Sequence, residues 1–195
     1  MRRILSAFFT VILLLTALAG CSKSGEPVSV MDQVVTKGSE GFLFAGTDWT
    51  MTKDEVMKKL NVTPETVTRN LEDRFTVPVH INEFDTDGWA TYVFLDENVD
   101  ENQPFCSGWY AFELTGRWKA IAEQMRETAV KTLQEPKEEN MWDSGTYMIW
   151  KAEDGSSFAI NVGSINDVGT SSGGEAVAVR LSVCRLPDLG EISPP

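Results

Sequence analysis

Apolar and polar residues follow three different periods along the chain, and each period predicts a different kind of element. Ile4 to Leu18 is an apolar run interrupted only by Ser6, Thr10 and Thr16. It is shorter than the ~20 residues a membrane span needs and suits a secretory h-region. From Ser22 to Gly41 no period is sustained, and the Ser, Gly and Lys content predicts a tether. A short strand is expected at Gly41-Phe42-Leu43-Phe44. Thr52-Lys53-Asp54-Glu55 then fits a capping box, with Met51 and Val56 at the staple positions. Val56, Met57 and Leu60 continue a helical stripe that Asn61 suits as a left-handed terminator. Thr63-Pro64-Glu65 reads as a second helix start leading to Val67 and Leu71.

Alternation takes over afterwards. Phe75, Val77, Val79 and Ile81 alternate with Thr76, Pro78, His80 and Asn82, a half-buried strand in which Pro78 favours an edge or bulge. Asp85-Thr86-Asp87-Gly88 is expected to turn the chain into a strand from Trp89 to Leu95, and Phe105 to Leu114 forms the next. Helical spacing returns at Trp118, Ile121, Ala122, Met125, Ala129 and Leu133, predicting a helix over Arg117 to Leu133 that Pro136 stops. Strands are expected at Thr146–Lys151, Phe158–Val162 and Ala176–Cys184, the first two joined at Glu153-Asp154-Gly155. Gly163 to Glu175 is a Gly/Ser-rich loop.

These elements predict an α+β fold with helices packed on an antiparallel β-sheet. Their order fits either one domain or two related helix-plus-three-strand units, with Asp87-Gly88 and Asp154-Gly155 in similar places. The predicted organisation is a signal peptide over 1–20, a tether over 21–41, the α+β domain over 42–186 and a polar, Pro-rich tail over 187–195.

Composition narrows the function. The 195 residues include 17 Lys+Arg, 29 Asp+Glu and one His, for a net charge of −12. That balance excludes ordinary nucleic-acid binding, which needs a basic face. One His without a Cys-x-x-Cys pair leaves too few ligands for structural zinc.

Met1-Arg2-Arg3, the apolar run and Leu18-Ala19-Gly20-Cys21 stand in the order of a lipoprotein signal, and the last four residues resemble the bacterial lipobox. The resemblance implies cleavage before Cys21 and lipidation of its thiol and new amino terminus, since two or three acyl chains anchor far more firmly than one. It places the chain in the cell envelope, on the outer face of the cytoplasmic membrane or on the outer membrane. Loss of Arg2 and Arg3 leaves 15 basic and 29 acidic residues, so anionic lipid repels the mature chain and the acyl chains do the holding. Met51-Thr52-Lys53-Asp54-Glu55-Val56 with Leu60, behind a lipobox and ahead of antiparallel strands, resembles the SmpA/OmlA-type lipoproteins and the tandem units of beta-lactamase-inhibitor-protein-like domains. That resemblance implies a small interaction or assembly domain.

The candidate chemistry is sparse. Cys106 and Cys184, at the start of one predicted strand and the end of another, invite a disulfide in an exported domain; two separate buried thiols are the alternative. Asp96, Asn98, Asp100 and Asn102 form an alternating acidic row, but Glu101 and Ser107 stand where a calcium loop needs Gly and Glu. His80 has no nucleophile in a strand–turn–helix elbow to serve. Val168 to Gly174 lacks the Lys and following helix of a phosphate cradle. No catalytic residue, metal or cofactor is therefore expected. Six Trp residues are the surplus: Trp118 and Trp109 are assigned to the core, and Trp89 and Trp142, near turns, to a candidate binding surface. The expected function is non-catalytic binding of an envelope protein. Binding of a small ligand or glycan through exposed aromatics is the alternative, and a carboxylate hydrolase a more distant one.

Overall fold

The computed structural model describes residues 27–28, 41–165 and 175–185. Helix α1 spans Lys53–Lys59 and α2 spans Trp118–Leu133. The described residues also form nine strands: β1 (Pro27–Val28), β2 (Arg69–Leu71), β3 (Arg74–Ile81), β4 (Thr86–Phe94), β5 (Phe105–Gly116), β6 (Glu138–Trp142), β7 (Gly145–Lys151), β8 (Ser157–Ser164) and β9 (Glu175–Cys184). They form one sheet in the order β3-β4-β5-β9-β8-β7-β6. β1 and β2 pair with different stretches of the outer edge of β3, β1 in parallel and the rest of the sheet antiparallel. Among the described residues no helix is long and apolar enough to cross a membrane.

The sheet dominates, which corrects the expected picture of an α+β domain with helices packed on a sheet. α1 buries only Val56, and the second expected helix does not form. Thr63 to Val67 is rich in β-branched residues, which lose rotamer freedom in a helix. Thr66 closes a turn instead, its Oγ1 accepting from Thr63 N (3.0 Å) and donating to Thr63 O (2.9 Å). Arg69-Asn70-Leu71 then pairs back on Arg74-Phe75-Thr76 across the two-residue turn Glu72-Asp73. β6 makes the same hairpin with β7 across Asp143-Ser144. Each helix is thus followed by four strands, not three. The extra strands are exposed at every position, so no alternation announces them.

Every strand between β3 and β7 sends one side inward. One row reads Val77, Ala90, Tyr110, Leu181, Ile160, Met148 across six strands. α2 covers the β7–β8 end with Trp118, Ile121, Ala122, Met125 and Ala129. Over the other half the cover is an irregular segment, residues 41–51. The strand expected at Gly41–Phe44 is only an isolated bridge at Phe42. Phe44, fully buried, packs against Tyr110 (4.8 Å between ring centroids) and Tyr92 (5.2 Å). Burying such a ring contributes about 2–3 kcal/mol, as much as a helix face would per residue. The turn expected at Asp85–Gly88 lies earlier, as a 3-10 turn over Asn82–Phe84 ending at Asp85 in the left-handed region (φ 45°), while Thr86 to Gly88 already belong to β4.

Candidate functional site: the open face of the sheet

Because the side-chain period of a strand is two, the residues between the core positions share the opposite face, and no element of the described chain covers it. The row on that face beside the core row reads Pro78, Trp89, Ala111, Arg180, Asn161, Tyr147, Asn140. The rows on either side add Thr91, Trp109, Ser182, Ala159 and Ile149, and Glu113, Ala178, Gly163, Gly145 and Trp142. Small side chains make most of this surface low, so the aromatic rings and Arg180 stand above it.

Trp89 is 48% exposed, with Pro78 and Ala111 beside it in the register. Trp109 is half-buried because Arg180 lies over its ring, with the guanidinium carbon 4.0 Å from the centroid. Burial against the indole lowers the Arg180 pKa below the ordinary arginine range without making it neutral at pH 7. No carboxylate among the described residues forms an ion pair with Arg180. Trp142, 45% exposed, lies over Gly145, where a Cβ would meet its ring at 2.7 Å, and stands 6.2 Å from the Tyr147 ring. The two tryptophans assigned to a binding surface therefore share a face. They stand five strand spacings apart, roughly 24 Å, too far for one small ligand to touch both.

The sequence reading missed Trp109, Arg180 and Tyr147. Trp109 was assigned to the core, and the structure places it on the open face. The signal was parity: Trp109 shares its side of β5 with Ala111 and exposed Glu113, whereas Gly108, Tyr110 and Phe112 share the other. Trp118 is buried as expected.

His80 closes one margin of the face. Its Nδ1 lies 3.0 Å from Asp87 Oδ1 and its Nε2 3.3 Å from Asp85 Oδ1. The hydrogen bond to Asp87 is the main reason its pKa is raised, with the charges of Asp87 and Asp85 adding to it. The acidic row is turn chemistry: Asp96 Oδ1 accepts from Asn98 N (2.8 Å), and Asp100 Oδ1 from Asn102 N (2.9 Å). Among the described residues no group of three or more His, Cys, Asp or Glu is placed to hold a metal ion. Cys106 is buried and Cys184 half-buried, and the expected bridge between them is not formed in the structure. At the end of the sheet a crevice of about 700 Å³ is lined by Trp49, Leu95, Asp100, Phe105, Cys106 and Arg185, among others. Cys21, the tether apart from Gly41 and the Pro27–Val28 strand that pairs with β3, the Val168–Gly174 loop and the 187–195 tail lie outside the described residues. Comparison with protein-family models, with curated proteins and with solved structures finds no match to this chain.

Proposed function

We propose that this chain is a non-catalytic protein-binding module of the bacterial envelope, held by lipid on Cys21, that docks its partner on the open face of the sheet. The observation that carries the reading is the line of Trp89, the Trp109–Arg180 stack, Tyr147 and Trp142 on one low, solvent-facing surface. Trp, Tyr and Arg are the side chains that dominate interface energetics. Their spacing also suits a protein: a standard interface covers about 800 Å² per partner, a patch roughly 28 Å across. The partner supplies a carboxylate for Arg180 and apolar groups for the rings. The anchor rests on the lipobox resemblance of Leu18 to Cys21.

The test is in-cell crosslinking of the full-length protein with a photoreactive residue at Asn161, central on the face, and at Glu127 on the exposed side of α2. One stoichiometric envelope protein captured from Asn161 and absent from Glu127 is the expected result. Equal capture at both positions, or none at Asn161 in protein confirmed to be lipidated, overturns the reading.

A further inference from the structure

At its start β5 carries one residue more than its neighbour needs. Val93 of β4 faces Ser107, and the next residue, Phe94, faces Phe105, so Cys106 is the inserted residue of a bulge. On the other flank of β5, Ser107 faces Cys184, and Arg185 N donates to Cys106 O at 3.0 Å. The two cysteines are therefore one register step apart on adjacent antiparallel strands. Strand spacing and one residue of rise put their Cα atoms about 6 Å apart, inside the ~4.4–6.8 Å range that a disulfide spans. Regular alternation would turn Cys106 to the side of the sheet away from Cys184; a bulge breaks that alternation and re-aims the side chain. Each thiol is held only weakly, Cys106 Sγ on Val93 O (3.5 Å) and Cys184 Sγ near Ser157 Oγ (3.1 Å), so a χ1 rotation frees either. Cys184 is only half-buried and so open to a reagent, and Cys106 lines the crevice at the sheet end.

We propose that Cys106 and Cys184 are a disulfide site, closed in the folded chain by exchange with a small-molecule disulfide. The Cys184 thiolate, the more accessible of the two, attacks one sulfur of the small disulfide, forming a mixed disulfide and releasing one small thiol. Cys106 then gives its proton to solvent and attacks the Cys184 sulfur, releasing the second small thiol. Two protein thiols are oxidised and one small disulfide is reduced to two thiols. The order follows from burial, which pushes the Cys106 thiol up to about 11, with the neighbouring Cys184 adding to the shift. Cys106 is thus a poor first nucleophile and acts once the mixed disulfide stands beside it.

The experiment uses the full-length chain, reduced, equilibrated with oxidised and reduced glutathione, trapped with N-ethylmaleimide and mapped by mass spectrometry. A Cys106–Cys184 cross-linked peptide, with loss of both alkylation sites, is expected in the unsubstituted protein. In Cys106→Ser, Cys184 should stop at the glutathione adduct, whereas in Cys184→Ser, Cys106 should remain alkylatable. Alkylation of both residues under oxidising conditions, a glutathione adduct on Cys184 of the unsubstituted chain, or a link to Cys21 overturns the proposal. The redox titration of the unsubstituted chain needs no variant, and it is independent of the docking reading.

Discussion

Replacing Gly108 by alanine sets a methyl group where the Phe44 ring already lies. An ideal Cβ at Gly108 falls 2.2 Å from Phe44 Cδ1 and 2.6 Å from two further ring atoms, against the 3.4 Å or more of ordinary contact. The ring has nowhere to retreat, because it is fully buried against Tyr92, Tyr110 and Phe105. Overpacking alone costs about 1–3 kcal/mol. Expelling the ring instead forfeits about 2–3 kcal/mol of burial. The two routes bracket Gly108→Ala at about 1–3 kcal/mol, and the Phe44→Leu change, which narrows the side chain, should recover part of that. Urea unfolding followed by tryptophan fluorescence measures it: with a slope of about 2 kcal/mol per molar, the midpoint falls by about 0.5–1.5 M. The double variant should be less destabilised than the sum of the singles by at least about 1 kcal/mol. Gly155→Ala is the control, since nothing lies within 4 Å of its Cβ and only its φ of +82° resists the change. A Gly108→Ala midpoint within about 0.3 M of the unsubstituted protein, or strict additivity with Phe44→Leu, would falsify the packing described for residues 41–51.

Three further outcomes follow from the same geometry. Protonated His80 is favoured by Asp87 and Asp85, so its contribution to stability is complete below the free-histidine value near 6.5 and fades as pH rises through the elevated folded value. The urea midpoint of His80→Gln should therefore lie below that of the unsubstituted protein at mildly acid pH and converge on it as pH rises through the raised His80 value, and a constant gap refutes the linkage. Thr52→Ala removes the side-chain half of the capping box, in which Glu55 Oε2 also accepts from Thr52 N at 2.9 Å. It should cost about 1 kcal/mol and show in hydrogen exchange as faster opening of α1, with α2 unchanged. Arg180→Ala should leave stability within about 1 kcal/mol, since it removes one cation–π contact, and weaken partner binding at least about tenfold in titration calorimetry, as a central interface arginine does.

What the sequence displayed, it displayed through period. The capping box, the left-handed Asn61 (φ 52°) and the five buried positions of α2 all follow from residues whose signal is local. Core strands with one buried face carried a clear alternation, and their ends fell within about three residues of the observed ones. β2 and β6 escaped because an edge strand exposed at every position has no buried face to alternate against. Thr63-Pro64-Glu65 misled because a helix start is a four-residue signal, and the hairpin partner that overrides it lies farther along, in β3. The site was legible only in part. Trp89 and Trp142 declared themselves by position, but the Trp109–Arg180 stack joins residues 71 apart that only the β5–β9 ladder brings together.

That ladder governs how the chain must fold. β9 is the last described strand, yet it sits in the middle of the sheet, between β5 and β8. Until residues 175–184 arrive, β5 and β8 each present a bare edge of unpaired amides and carbonyls, a template for any extended chain nearby. β9 extends the β6-β7-β8 meander as the strand next in sequence to β8, whereas its pairing with β5 joins residues 59 to 77 positions apart, so the costly long-range contacts lie on the β5 side. In a chain delivered amino terminus first, the aggregation hazard is concentrated in the interval before β9 emerges and closes both edges.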